Sequence, residues 1–189
     1  IDLETRDPGL MTMGSGAISG NGEVVGIAVA VEGWSGYFPI NHEGGGNMDR
    51  ALVLDWFEEV LHTEATKIFH NAMYDVSWIR AMGFQINGGI IDTMIAASLV
   101  NENRWSFTLD SISKEYIGMG KNEKILAEAA KAWGVNPKAE MWRLPAPLVG
   151  EYAERDAEVT LKLWHAMKHE LTQQDLWEVF NLETSLFPC

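Results

Sequence analysis

The valine-rich segment VVGIAVAVEG at residues 24–33 constrains the fold of this chain more than any other stretch. A continuous apolar run bounded by glycine and polar residues is typical of a strand buried at the centre of a sheet. WSGYFPI at residues 34–40 follows a turn at Glu32 and Gly33, and its alternation of apolar and polar residues predicts an antiparallel partner. Together with the opening segment IDLET, the sequence predicts three leading strands.

Beyond these strands, helical patterns alternate with short apolar segments. Asp49 precedes an amphipathic run at residues 50–62 and is predicted to cap that helix. Short strands are expected at residues 67–70 and 85–92, and helices at 71–83, 93–101, 109–118, 122–134 and from Glu151 onward. This alternation indicates the α/β class, with a mixed sheet that has three leading strands and is flanked by helices.

Two carboxylates stand in the first strand. Asp2 and Glu4 are two residues apart, so their side chains point to the same face of the strand. Like charges that lie side by side repel unless a cation sits between them, which makes this pair a candidate metal site. The alternative is a frayed, solvent-facing strand end without a chemical role.

A second acidic position begins the helix that follows the strand at residues 67–70. Asp75 lies four residues after Asn71 and leads the apolar stripe of Trp78, Ile79 and Met82. An inward-facing aspartate is unusual, because ionised groups avoid burial unless they are paired or coordinated. The alternative is that Asn71 caps the helix and Asp75 lies exposed in its second turn.

A third acidic position lies on the last long helix. Tyr152 and Asp156 are four residues apart and therefore share one helical face. The alternative is a solvated acidic helix, since several glutamates surround this pair. Asp156 lines up with the apolar Val159 and Leu163, whereas Glu154 does not, so Asp156 is the carboxylate predicted to turn inward.

The net charge of −13 argues against a general polyanion binder, because nucleic-acid affinity usually depends on clustered lysine and arginine. Bound divalent cations would invert the local electrostatic field, so the net charge is compatible with phosphoryl-transfer chemistry on nucleic acid. The surface that binds the nucleic acid would then have to be supplied from elsewhere. No apolar run approaches the roughly 18 residues of a membrane span, and nothing resembles a secretory signal. The single cysteine, Cys189, excludes an internal disulfide and favours a reducing compartment.

The three acidic positions, in this order, resemble a known family. DLET at residues 2–5, HNAMYD at 70–75 and YAERDAEVT at 152–160 are similar to the three motifs of the DEDD 3′-5′ exonucleases, which have the ribonuclease-H-like fold. Tyr152 indicates the tyrosine subclass, since the histidine subclass would have its histidine at position 151, where this chain has glutamate. The similarity is closest to the proofreading domain of DNA polymerase I-type (family A) enzymes of phages or bacteria.

The resemblance implies hydrolysis of the last phosphodiester at a 3′ end, with release of nucleoside monophosphates. It implies two divalent cations, Mg²⁺ with Mn²⁺ as a substitute, held by oxygen ligands as hard cations prefer. Asp2, Glu4 and Asp156 would hold the first ion, and Asp2 and Asp75 would reach the second. Tyr152 completes the implied catalytic set. Its ordinary pKa near 10 suits it to orient water rather than to act as a base.

The implied substrate is a single-stranded or frayed 3′ end of DNA. Thr5 and Asn71 would contact its backbone. Leu10 would insert against the terminal base, in a loop about two residues longer than is usual in the first motif. Asn71 has helix capping as an alternative role.

Residues 1–180 are expected to form the exonuclease domain and residues 181–189 the start of a truncated polymerase segment. A covalently linked polymerase domain is therefore the expected partner, with no membrane partner, a monomeric state and a cytosolic location in a bacterium or phage-infected cell. Two alternatives stay open: an RNA-trimming exonuclease of the same superfamily, in which contacts to the 2′-OH would decide the substrate, and a non-catalytic structural domain of a polymerase.

Overall fold

The computed structural model describes residues 1–120 and 124–187. The predicted helix start at residues 122–123 and the terminal Pro188 and Cys189 lie outside these residues. In the described ranges the strands are β1 (Asp2–Arg6), β2 (Glu23–Val31), β3 (Trp34–Pro39), β4 (Lys67–Phe69) and β5 (Ile90–Asp92). The helices are α1 (Leu10–Met13), α2 (Gly16–Ser19), α3 (Arg50–His62), α4 (Ala72–Ala81), α5 (Thr93–Val100), α6 (Leu109–Ile117), α7 (Lys124–Trp133), α8 (Gly150–Gln173) and α9 (Trp177–Ser185).

The three leading strands form an antiparallel sheet in the order β1-β2-β3, as the sequence predicts. The apolar run of β2 lies at its centre, and Ile27 and Ala28 are fully buried there. Gly33 forms the turn to β3 with a φ of 80°, a left-handed conformation that glycine adopts without steric cost. The predicted hairpin between residues 24–33 and 34–40 is confirmed.

The two later strands pair in parallel with each other. They are shorter than the sequence indicated, since β5 covers only Ile90–Asp92 of the segment expected at residues 85–92. The ammonium group of Ile1 donates to the Ile68 carbonyl at 2.8 Å, so the start of the chain beside β1 contacts β4. Antiparallel and parallel pairings together give the mixed α/β plan that was predicted, divided here between two sheets.

Helix α8 connects the parts of the fold because it packs against both sheets and against α5 and α6. One core cluster surrounds the leading sheet, α3 and α4, with Phe57 and Ile79 fully buried. The other lies between α5, α6, α8 and α9, with Leu163 and Met167 fully buried. Asp49 caps α3 as predicted, accepting hydrogen bonds from two backbone N–H groups of its first turn.

One observation concerns the predicted boundary at the end of the exonuclease domain. Helix α9 runs across the predicted boundary between residues 180 and 181, and Phe180 and Phe187 on either side of it are buried. The boundary itself stays a prediction.

None of the helices within the described ranges combines the length and the apolar character that crossing a bilayer requires.

Candidate active site

Strand β1 presents Asp2 and Glu4 on one face, while Leu3 between them points into the core and is 6% exposed. Across the sheet, Asp2 lies opposite Ala28 and Glu4 opposite Gly26, so small residues border both carboxylates. The strand register shifts directly after Glu4. Such bulges re-aim side chains and are frequent beside active sites.

Asp75 on α4 turns inward and is 4% exposed, which excludes the alternative of an exposed position in the second turn. Its Oδ1 accepts the Leu3 N–H at 3.0 Å and so ties α4 to the acidic strand. Burial, and then the nearby charge of Asp2, raise the pKa of Asp75 well above its ordinary value. Two carboxylates from positions far apart in the sequence therefore lie within electrostatic reach of each other.

Asn71 does not cap α4 with its side chain, contrary to the alternative considered from the sequence. It stands at the N-cap position in the left-handed conformation, with a φ of 67°, and its side chain makes no capping hydrogen bond. Asp92 at the end of β5 accepts the N–H groups of Asn71 and Ala72 at 3.0 and 2.8 Å instead. Because a neighbouring strand supplies the capping acceptor, the Asn71 side chain is available to the cleft.

Helix α8 places Tyr152 and Asp156 on its inner face. Asp156 is 3% exposed, and Val159 and Leu163 behind it are fully buried, whereas Glu154 is only half-buried, as the sequence predicts. Burial raises the pKa of Tyr152 far above its ordinary value, with further contributions from Asp156, Glu4 and Asp2. The Tyr152 phenol, which also hydrogen-bonds to Asp156, therefore keeps its proton at neutral pH.

These elements border an open cleft of about 670 Å³. Asp2 from β1 and Asp156 from α8 line it together, and Asn71 lines it from the start of α4. The remaining walls come from the end of β4, from the α5–α6 region and from the segment that precedes α8: His70, Met94, Phe107, Thr108, Leu109, Asp110 and Lys138. The cleft is thus lined by the first acidic position, Asp2, by the third, Asp156, and by the segment that precedes the second, Asp75.

Thr5 and Leu10 are the residues near the first motif that were predicted to contact the substrate. Thr5 is hydrogen-bonded to the Tyr74 hydroxyl at 2.7 Å, and that hydroxyl donates to Asp7 at 3.1 Å. Leu10 begins α1 and is 42% exposed. Tyr74 was not identified from the sequence as a functional residue, although its position directly before Asp75 in HNAMYD was a usable signal.

The acids do not form a closed cluster. Within residues 1–120 and 124–187, no group of three or more acidic, histidine or cysteine side chains meets the spacing of a metal site. In addition to burial, the charge of Asp2 raises the pKa of Asp75. In addition to burial, the charges of Asp156, Glu4 and Asp2 raise the pKa of Tyr152. The chemistry of this donor set, with carboxylate oxygens only and like charges held close together, fits hard divalent cations.

The sequence from residue 12 to residue 172 matches the model of the 3′-5′ exonuclease family. The chain belongs to this family. Asp75, Tyr152 and Asp156 lie inside the matched range, while Asp2 and Glu4 precede it. Enzymes of this family are hydrolases that depend on divalent metals.

Polymerases of phages and of a bacterium have sequences similar to this chain. A DNA-directed DNA polymerase of Pseudomonas phage M6 is 38% identical over 100% of this chain and 29% of its own length. The DNA polymerase DpoZ of Salmonella phage PMBT28 is 31% identical over 89% of this chain and 27% of its own. DNA polymerase I of Pseudomonas aeruginosa is 27% identical over 79% of this chain and 17% of its own. The chain therefore spans less than a third of these relatives.

Solved structures agree with the fold. Brucella melitensis NrnC superposes with a TM-score of 0.66 at 18% identity, over 100% of this chain and 80% of its own. Pol1 of M. smegmatis, solved with DNA primer-template and dNTP, gives a TM-score of 0.55 at 20% identity, over 82% of this chain and 22% of its own. The exonuclease has the ribonuclease-H-like α/β fold, as its sequence resemblance implied.

Proposed function

We propose that this exonuclease proofreads for a DNA polymerase by removing nucleotides from a single-stranded or frayed 3′ end of DNA. The observation that carries the proposal is the meeting of Asp2 and Asp156 in one cleft, with Asp75 held against β1. The similarity of the chain to phage and bacterial DNA polymerases supports a DNA substrate and a covalently linked polymerase domain.

Four carboxylates would hold the cations of this site. Asp2, Glu4 and Asp156 are the proposed ligands of one divalent ion, and Asp2 and Asp75 those of a second. When bound, Mg²⁺ or Mn²⁺ would supply an acidified water and charge stabilisation at the leaving oxygen.

The protein's own groups would position the reactants. Tyr152 keeps its proton because burial and the surrounding carboxylates raise its pKa, so its hydroxyl orients the attacking water by hydrogen bonding and does not abstract a proton. Asn71 faces the cleft and can donate amide hydrogens to the strand. Leu10 is 42% exposed and would offer an apolar surface to the terminal base, which stays a prediction from the family resemblance.

The test is hydrolysis of a 3′-labelled single strand of DNA in Mg²⁺, compared between wild type, Asp75→Ala and Asp55→Ala. Asp55 is exposed on α3 and serves as the matched control. Wild type and the control should release mononucleotides, and Asp75→Ala should lose at least about 100-fold in rate. No release by the wild type, or equal rates for wild type and Asp75→Ala, would refute the proposal.

Substrate class needs a second comparison with the same protein. DNA and RNA oligomers of matched sequence should be degraded at different rates, with DNA preferred. A preference for RNA would favour the RNA-trimming alternative. Calorimetric titration with Mn²⁺ addresses the non-catalytic alternative, since a structural domain has no need to bind two ions.

A further inference from the structure

Trp105 lies in the loop between α5 and α6, and its indole is fully exposed, with a relative exposure of 103%. Two other tryptophans on the surface, Trp34 and Trp133, are 51% and 53% exposed. An indole left in water forgoes the stabilisation that burial of its large apolar surface would give. Single exposed apolar residues are nevertheless common, so the surroundings of Trp105 decide whether it has a role. Trp105 was not identified from the sequence as a functional residue.

The loop is held in place on both sides of Trp105. The side chain of Arg104 is 7% exposed and forms an ion pair with Glu115 on α6. Its Nε donates to the Ser106 carbonyl at 3.3 Å, so the guanidinium joins the two chain neighbours of Trp105. The same guanidinium lies 5.7 Å from the centre of the Tyr116 ring. The turn that presents the indole is therefore fixed by contacts within the loop and to α6.

Directly after Trp105 the chain enters the wall of the cleft. Phe107 and Thr108 line the cleft, and the Thr108 side chain caps α6 by accepting the Ser111 N–H. The Phe107 carbonyl accepts from His70 Nε2 at 2.9 Å, which ties the loop to the end of β4. Two residues of extended chain span at most about 7 Å. The exposed indole is therefore carried on a fixed segment at the edge of the proposed active site.

The charge of the cleft favours an uncharged contact with a nucleic-acid strand. Asp2, Asp110 and Asp156 line it, and Lys138 is the one lysine or arginine among its described lining residues. With a net charge of −13, the chain offers phosphates little electrostatic attraction. An indole face stacks on any base, and this attraction does not require a charge on the protein. Trp105 therefore matches a base of a single strand whose last nucleotide occupies the cleft.

We propose that Trp105 is a stacking platform for a base on the 5′ side of the terminal nucleotide, where the single strand leaves the cleft past the α5–α6 loop. This inference rests on the proposed function, which places the 3′-terminal nucleotide at the acids. The ring touches the strand away from the reacting atoms, so it contributes to strand binding and not to the chemical step. Because bases in a duplex stack on one another, the contact also favours a frayed end over a paired one.

Trp105→Ala removes the ring, Trp105→Phe keeps a smaller one, and Trp34→Ala is the control. Trp34 lies at the start of β3 and is not among the residues that line the cleft. On a short single strand in Mg²⁺, Trp105→Ala should raise KM at least about fivefold with kcat unchanged. Trp105→Phe should raise KM less, and the control should match the wild type.

A substrate without neighbouring bases tests whether the loss is local. The p-nitrophenyl ester of thymidine 5′-monophosphate has one base, which would occupy the terminal position. Wild type and Trp105→Ala should hydrolyse this ester at equal rates. A similar loss on the ester and on the strand would show that the substitution disturbs the acidic site, and would overturn the inference.

Abasic residues placed one at a time near the 3′ end locate the contact on the strand. At one of these positions the missing base should raise the wild-type KM at least about fivefold and leave the KM of Trp105→Ala unchanged, because the stacking partner is already absent. Additive losses at every position would show that the ring and the base do not touch.

Strand binding without hydrolysis separates this inference from the proposed function. Fluorescence anisotropy of a 5′-labelled strand in Ca²⁺ measures affinity. Trp105→Ala should weaken it by the same factor at about 50 and about 200 mM salt, since the change removes no charge. Equal affinities of wild type and Trp105→Ala would overturn the inference. A wild type that binds the strand through Trp105 but hydrolyses neither strand nor ester would refute the proposed function and leave this contact standing.

Discussion

Two buried aspartates, Asp75 and Asp92, have different surroundings. Asp92 is 1% exposed, and its two oxygens accept three backbone N–H groups, from Asn71, Ala72 and Met94. Asp75 is 4% exposed and accepts one, from Leu3, and its burial and then the nearby charge of Asp2 raise its pKa. Asp92 is a structural anchor that begins α4 and α5 together, whereas Asp75 is a buried carboxyl group whose burial and acidic neighbour Asp2 oppose its ionisation.

The comparison shows that burial alone does not identify a chemical site. A carboxylate surrounded by backbone donors stabilises the fold because its charge is solvated by the protein. A carboxylate held beside another of the same sign weakens the fold unless a cation joins them. The sign of a mutation's effect on stability therefore distinguishes the two classes.

Removal of the anchor should have the largest effect on folding. Asp92→Ala leaves three N–H groups at two helix starts without their acceptor and should lower the free energy of unfolding by about 3–5 kcal/mol. Urea denaturation at pH 7, monitored by circular dichroism, measures this loss, with Asp55→Ala as the surface control. A change no larger than that of the control would show that the two aspartates do not differ as described.

Neutralising Asp75 should have the opposite sign on stability. Asp75→Asn keeps an acceptor for the Leu3 N–H and removes the buried charge, so in EDTA the free energy of unfolding should rise by about 1–3 kcal/mol. Hydrolysis in Mg²⁺ should fall at least about 100-fold. Paired denaturation and activity measurements on one preparation provide the check. A destabilised Asp75→Asn would place Asp75 in the same class as Asp92.

The pH dependence of stability sharpens this contrast. The unfolded chain ionises Asp75 near the ordinary value of 3.8, and the folded chain ionises it at a higher pH. Between those two pH values the folded state binds more protons, so rising pH lowers wild-type stability through this group. In EDTA, wild type and Asp75→Asn should therefore differ least near pH 4 and increasingly toward neutral pH. A constant difference would refute the raised pKa.

The smallest expected effect is that of removing the Tyr152 hydroxyl, which hydrogen-bonds to Asp156, the third buried aspartate. Tyr152→Phe removes the hydroxyl that hydrogen-bonds to Asp156 and orients the water in the proposed reaction. The kcat for strand hydrolysis should fall about tenfold with KM unchanged. Steady-state kinetics on a short single strand measures both. Tyr116→Phe, which changes a phenol on α6 near Glu115 and Glu170, is the control and should match the wild type. A change in KM alone would assign Tyr152 to strand binding.

Local patterns predicted the elements whose causes are local. The apolar run at residues 24–33 became the central strand, Asp49 capped α3, and Asp156 turned inward in line with Val159 and Leu163. Each outcome depends on periodicity or capping chemistry within one element, and both are evident from residues that are close together in the sequence. The two short strands were predicted to be longer than they are, because the residue at which such a strand ends depends on the strand that pairs with it.

The errors and omissions arose where distant residues meet. Asn71 has a side chain suited to capping, but the acceptor at that helix start comes from Asp92, 21 residues later. The bond from His42 to Leu144 spans 102 residues, and no local pattern distinguishes that histidine from one in an exposed loop. Such pairs become visible only when the chain has closed on itself.

The sequence by itself determined the class of fold, the order of the acidic motifs and membership in an exonuclease family, because these are properties of spacing along the chain. Tertiary structure decided which carboxylates share a cleft and which one serves as an anchor. Those outcomes depend on distances of a few ångströms between residues far apart in sequence, and electrostatic and hydrogen-bond energies change steeply over such distances.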